Sequence, residues 1–169
     1  MNTEAIITGI NQYFKGERSE MALVIFFSVL IGASAVWLFL AYRDSFSKGF
    51  AIVVVLFSFL FTGVAVSVLF RDRPYEQKLV KEVSSEDGPK AVHQEIERMN
   101  IVISKYPAGK KVTLVVVLFG VVSIFLFRRP VVEGVVVGLL LVGASQIVMD
   151  HYSEERAVEY ESFLRGERG

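Results

Sequence analysis

The sequence predicts an all-α integral membrane protein: a four-helix bundle with a cytoplasmic helical hairpin and a helical C-terminal extension. Three observations predict it. Hydrophobic residues make up 53% of the 169-residue chain, against about 45–50% apolar in ordinary soluble domains. The excess is gathered into four long runs, three of them without a charge. Lys and Arg are also divided unevenly between the two sides that four crossings define.

Residues 1–20 read as an amphipathic segment. Ile6, Ile10, Tyr13 and Phe14 fall at helical spacing, which suits a short helix in the membrane interface. Gly16 is expected to end it, with Ser19 as the N-cap of the first span. Transmembrane hairpin 1 covers 21–70. Its spans, 21–42 and 50–70, are 22 and 21 residues long. Crossing roughly 30 Å of hydrocarbon takes about 20 apolar residues, so both suffice. Lys15 and Arg18 ahead of the first run, with Ala33-Ser34-Ala35 inside it, also fit a cleaved signal peptide. Continuation of the run through Trp37-Leu38-Phe39-Leu40 favours a retained span.

The segment 71–111 is polar and long enough to be structured. Pro74 is expected to begin one arm, carrying Leu79, Val80 and Val83. Glu86-Asp87-Gly88-Pro89 reads as a turn. Val92, Ile96, Met99 and Ile103 then recur at spacings of four, three and four, an amphipathic helix ending at Tyr106-Pro107-Ala108-Gly109. This is the cytoplasmic helical hairpin. Its acids, Asp72, Glu76, Glu82, Glu95 and Glu97, read as a wet face.

Transmembrane hairpin 2 covers 112–149. Span 112–127 is only 16 residues long, but Lys110, Lys111, Arg128 and Arg129 flank it and can snorkel to the two interfaces. Span 131–149 follows a break at Arg128-Arg129-Pro130, where proline suits a first helical turn. Valine-rich runs favour strands in water. In lipid, unpaired strand edges are intolerable, and helix wins. The tail 150–169 has good helix formers, with Ala157, Tyr160 and Leu164 as an apolar stripe needing a partner.

Orientation follows from the basic residues. The N-terminal segment, middle hairpin and tail together hold fourteen of the 18 Lys and Arg, and the two short loops hold four. The positive-inside rule puts both termini in the cytoplasm. A plasma membrane is expected, most simply the inner membrane of a bacterium.

Chemistry is scarce in these letters. Net charge is zero, and no basic stripe of the kind nucleic acid requires is present. Absence of cysteine removes disulfides, thiolate metal sites and cysteine nucleophiles. His93 and His151 lie outside the spans, so no pair of axial haem ligands is available within the bundle. Asp150, His151, Glu154 and Glu155 have the spacing of either a metal-binding helix face or a solvated one, and the solvated face is preferred. No phosphate loop, nucleophile elbow or zinc motif appears. No catalytic, cofactor or metal residue is therefore assigned. Ser34, Ser123, Ser145 and the other span hydroxyls read as bonded back to their own helices.

The signal inside the spans is packing. Gly134 and Gly138 are four apart, Gly143 lies beyond them, and Gly32 is in the first span. Such residues let helix backbones approach closely. They serve either the contacts of one chain or a homo-oligomeric seam. Gln146 and Glu133 are the candidates for a polar lining. Glu133 reads most simply as an interfacial acid neutralised by Arg128 or Arg129, and Gln146 as a side chain bonding across helices. The resulting expectation is a non-enzymatic protein acting by helix–helix or protein–protein contact, as an accessory, regulatory or protective subunit. Besides the lipid bilayer, its partner is a second copy or another membrane protein. The alternatives are a small oligomeric transporter or channel and, last, an interfacial enzyme acting on lipid.

Overall fold

The computed structural model describes residues 2–166, and nearly all of them are helical. Four helices succeed one another: α1 (Thr3–Tyr42), α2 (Ser45–Val83), α3 (Gly88–Phe127) and α4 (Pro130–Arg165). Each is long and apolar enough over part of its length to cross a membrane. A 40-residue helix such as α1 is about 60 Å long, so each extends well beyond its apolar run.

The helix ends obey local chemistry. Asn2 caps α1, accepting from the Glu4 amide at 3.4 Å. Arg43 closes it in the left-handed region (φ 54°), donating its N–H to the Phe39 carbonyl. Asp44 caps α2 with a 2.6 Å bond from the Ser47 amide, and that bond holds its carboxyl below the usual aspartate range. Arg128, at φ 36°, ends α3 in the same way as Arg43 ends α1, and Pro130 opens α4.

Three expected breaks are absent. α1 passes through Gly16, α2 through Pro74 and α3 through Pro107. A glycine costs about 1 kcal/mol within a helix and a proline about 3. Tertiary packing on both sides of each position outweighs that cost. Residues 1–20 are accordingly no separate interfacial helix but, as far as described, the first turns of α1, with Ile10 and Phe14 each 1% exposed. The arms of the middle hairpin are likewise continuations of the apolar runs, turning at Ser84–Asp87. The tail, as far as described, continues α4 without a break to Arg165.

The helices alternate in direction, so α2 and α4 run parallel. α1 packs along α2, α2 along α4, and α4 along α3, while α1 touches α4 only lightly. The bundle has two halves of opposite character. In the polar half, Phe14 and Ile10 of α1 meet Leu79 of α2, Met99 of α3 and Leu164 of α4 in one core. The stripe on the tail therefore packs on α1 as well as on the middle hairpin. In the apolar half the interior is small, with Ala35, Ala51 and Val54 as its cluster, and large side chains such as Trp37, Phe59 and Phe119 lie outside.

Candidate functional site: a lateral recess beneath an ionic collar

The glycines explain how the apolar half closes. A Cβ on Gly134 would overlap the Phe46 carbonyl oxygen, and one on Gly49 would overlap that of Val131. Gly138 would bring its Cβ to 3.1 Å from Val53 Cβ. The two parallel helices α2 and α4 thus touch backbone to backbone near their N-terminal ends. Gly143 faces α3, where a Cβ would sit 2.6 Å from Val117 Cγ2. Gly32 faces α2, with Ser58 Oγ 3.0 Å from its hypothetical Cβ. The four glycines singled out for packing therefore stand at three different helix pairs of one chain.

Glu133 and Gln146 do not come together. Glu133 is exposed in the first turn of α4 and makes no ion pair with Arg128 or Arg129 among the described residues. The helix N-terminus itself favours an acid there. Gln146 does not bond across helices: its amide donates to Asp150 Oδ1 of the same helix at 2.6 Å. It lines a recess of about 230 Å3 between α2, α3 and α4. Ser34, Ser123 and Ser145 each donate to the carbonyl four residues back.

Where the polar half meets the apolar half, a collar of charges links the helices. Arg18 of α1 pairs with Glu76 of α2, Arg156 of α4 with Glu20 of α1, and Lys110 of α3 with Glu154 of α4. Arg71 reaches Glu17 at 3.7 Å and Asp72 at 3.0 Å. Asp72 is 1% exposed, and its Oδ2 is buried without a hydrogen-bond partner among the described residues. Glu17 lies in the same pocket of charge. Burial, and then the Asp72 carboxylate, push its pKa above the usual glutamate range, against the opposing pull of Arg71, Arg156 and Arg98.

That shift has a testable sign. A carboxyl whose pKa is raised on folding favours the fold while protonated and weighs against it as pH rises through the raised value. Glu17→Gln should therefore melt a few degrees above the parent at neutral pH, with the gap closing on acidification. A scan of melting temperature against pH checks it. An equal or lower melting temperature at neutral pH would show that the contact with Arg71 outweighs the desolvation of Glu17.

Deeper in the polar half, Glu95 is 1% exposed and holds Arg98 through two bonds of 2.7 Å. It also accepts from the Tyr75 hydroxyl at 2.7 Å. Burial and then Glu95 push Tyr75 up to about 12. Burial alone would lower Arg98, but bonding to Glu95 outweighs it and raises the guanidinium further. The expectation of a wet face fails for Asp72 and Glu95. The signal was present in the spacing, since Ala91, Glu95 and Met99 are four apart and all buried.

Beside the collar, α1, α2 and α4 part to leave a recess of about 860 Å3. Its walls are mainly apolar, among them Leu23 and Phe27 of α1, Phe57 of α2 and Val148 of α4. Ser28, Ser58 and Ala144 are too small to fill it. Its polar end is formed by Ser19, Glu20, Tyr152 and Arg156. A second recess of about 620 Å3 runs along the polar half of the same α1/α4 seam, past Gln12, Tyr13 and Glu159. Gly16 and Arg156 border both.

The acids and histidines of α4 do not assemble into an ion site. Asp150 takes Gln146, Glu154 takes Lys110, and no cluster of His, Asp and Glu able to hold a metal occurs among the described residues. His93 is exposed beside Glu97 at 3.4 Å, and neither it nor His151 lines either large recess. No protein-family model matches the chain, and no curated protein or solved structure matches it either.

Proposed function

We propose that this chain is a multi-pass integral membrane protein of a plasma membrane, most simply a bacterial inner membrane, with both ends cytoplasmic. It works without catalysis, through contact with a second copy or another membrane protein, as an accessory, regulatory or protective subunit. The observation that carries this reading is the inversion of the bundle along its length. Phe59, Phe70, Phe119 and Phe125 are each more than 70% exposed, and leaving one such side chain in water forgoes about 1.5–3 kcal/mol. Contiguous exposed apolar surface of this extent belongs against lipid or protein. Further along the same helices, the pattern reverts to buried apolar and exposed charged side chains.

Contact is favoured by α3. Between 112 and 127, Gly120 is its one buried residue. Leu114, Leu118, Val122 and Phe125 form an uncovered stripe at helical spacing, the form in which one membrane helix meets another. A water-filled path through a single copy is disfavoured, because backbone contact at Gly49 and Gly134 closes the bundle.

Reporters fused to either terminus should read cytoplasmic in intact cells; an exterior reading would overturn the sidedness. A photoreactive side chain at Leu118 should give a discrete protein adduct in native membranes. The same group at Trp37, exposed on α1, serves as the control. Equal, diffuse labelling from both positions would overturn the contact reading.

A further inference from the structure

We propose that the α1/α4 seam is a binding site for one zwitterionic phospholipid of the cytoplasmic leaflet, with its phosphate at Arg156 and an acyl chain in the apolar recess. The proposal rests on the bilayer placement above and adds a ligand to it.

Three features of the seam select that chemistry. The first is polarity. The recess of about 860 Å3 is walled by side chains such as Leu23, Phe27 and Val148, and its volume is within the range of small-molecule sites, about 300–1,000 Å3. Its polar end, which includes Glu20 and Arg156, lies where the second, more polar recess of about 620 Å3 begins at Gly16 and Arg156. An occupant filling both must be apolar at one end and polar at the other. The second feature is an unused donor. Arg156 gives one Nη to Glu20, while its buried Nε–H has no acceptor among the described residues. A buried donor without an acceptor costs about 1–3 kcal/mol, and a phosphate oxygen is the acceptor that guanidinium groups suit best. The side chain crosses α1 at Gly16, where a Cβ would stand 3.1 Å from Arg156 Cδ, so the guanidinium is held at the junction of the two recesses.

The third feature is the sign of the surroundings. Glu20 and Glu159 flank Arg156, so a headgroup with net negative charge meets repulsion there. A phosphate joined to an ammonium, as in phosphatidylethanolamine, presents a negative group to Arg156 and a positive one to the acids. A lone fatty acid lacks the ammonium, and a diacylglycerol lacks both.

The test uses the full chain in phosphatidylglycerol vesicles, whose net-negative headgroup the seam disfavours, containing a trace of phosphatidylethanolamine with a diazirine in its acyl chain. A diacylglycerol with the same tail is run in parallel. After illumination, labelled peptides are mapped by mass spectrometry. The phosphatidylethanolamine label should concentrate on α1 and α4 residues of the recess, several-fold above the lipid-facing stripe of α3. Ala144→Phe, which fills the recess from an exposed position, should abolish that excess. Arg156→Gln should lower it about tenfold, the scale of one charge-assisted hydrogen bond, without changing the diacylglycerol pattern. Helical circular dichroism of both variants guards against loss of fold; if Arg156→Gln unfolds, Ala144→Phe alone decides. Even labelling of α1, α3 and α4, or an excess that survives Ala144→Phe, overturns the site while leaving the bilayer reading intact. A chain that washes off membranes at alkaline pH overturns the bilayer reading itself.

Discussion

Replacing Gly134 with leucine should destabilise the bundle by about 3 kcal/mol, the upper part of the range for overpacked sites. The cause is a collision with main chain. A Cβ there would stand 2.9 Å from the Phe50 nitrogen and overlap the Phe46 carbonyl oxygen. A flexible side chain could swing aside, but a helical carbonyl cannot, so α2 and α4 must separate. Gly49 faces the same contact from the other helix, and its substitution should cost a similar amount. Gly63 is the internal control. It has nothing within 4 Å of its hypothetical Cβ, so Gly63→Leu should match the parent or gain up to about 1 kcal/mol from its better helix propensity. Denaturant unfolding in detergent micelles compares the three. Coincident curves for Gly134→Leu and Gly63→Leu would mean that the α2/α4 approach is not what closes the apolar half.

The second large effect belongs to Arg98. Glu95 is almost fully buried, with Arg98 as its salt-bridge partner and Tyr75 as a hydrogen-bond donor. Arg98→Met removes the charge that compensates it, and breaking a buried pair from one side typically costs about 3–5 kcal/mol. The loss should depend on pH. An uncompensated buried carboxyl takes up a proton more readily than it does unfolded. The variant should therefore recover stability on acidification and lose it as pH rises. Adding Glu95→Gln to Arg98→Met should restore most of the loss at neutral pH, because no buried charge then remains. If the double variant is as unstable as Arg98→Met, the Arg98 guanidinium over the Tyr75 ring, 4.9 Å from its centroid, is the dominant contribution.

Both effects involve residues whose importance had different visibility in the sequence. Gly134 and Gly138 stood out because glycine four apart in an apolar run has few other uses. Their partner did not: α2 offers Gly49 just ahead of the expected span, and only the parallel approach of α2 and α4 makes it the facing residue. Glu95 was hidden for the opposite reason. A glutamate in a charged segment resembles any solvated acid until its spacing to Ala91 and Met99 is seen to run along the buried stripe. Gly16, Pro74 and Pro107 misled in a third way. Local propensity assigns each a boundary, and long-range packing of the flanking turns overrides it.

Length, hydropathy and helical periodicity were enough to determine four apolar helices, their order and the break at 128–129, whereas the first connection, expected over 43–49, is a two-residue turn at 43–44. These depend on backbone hydrogen bonding and local side-chain pattern, which act over a few residues. Tertiary structure alone decided that α2 and α4 are neighbours, that the N-terminal turns complete the polar core, and that Glu20 and Arg156 meet across the α1/α4 seam. Each of those contacts joins segments far apart in the chain, 136 positions in the case of Glu20 and Arg156, and no local preference encodes which face of one helix another will meet.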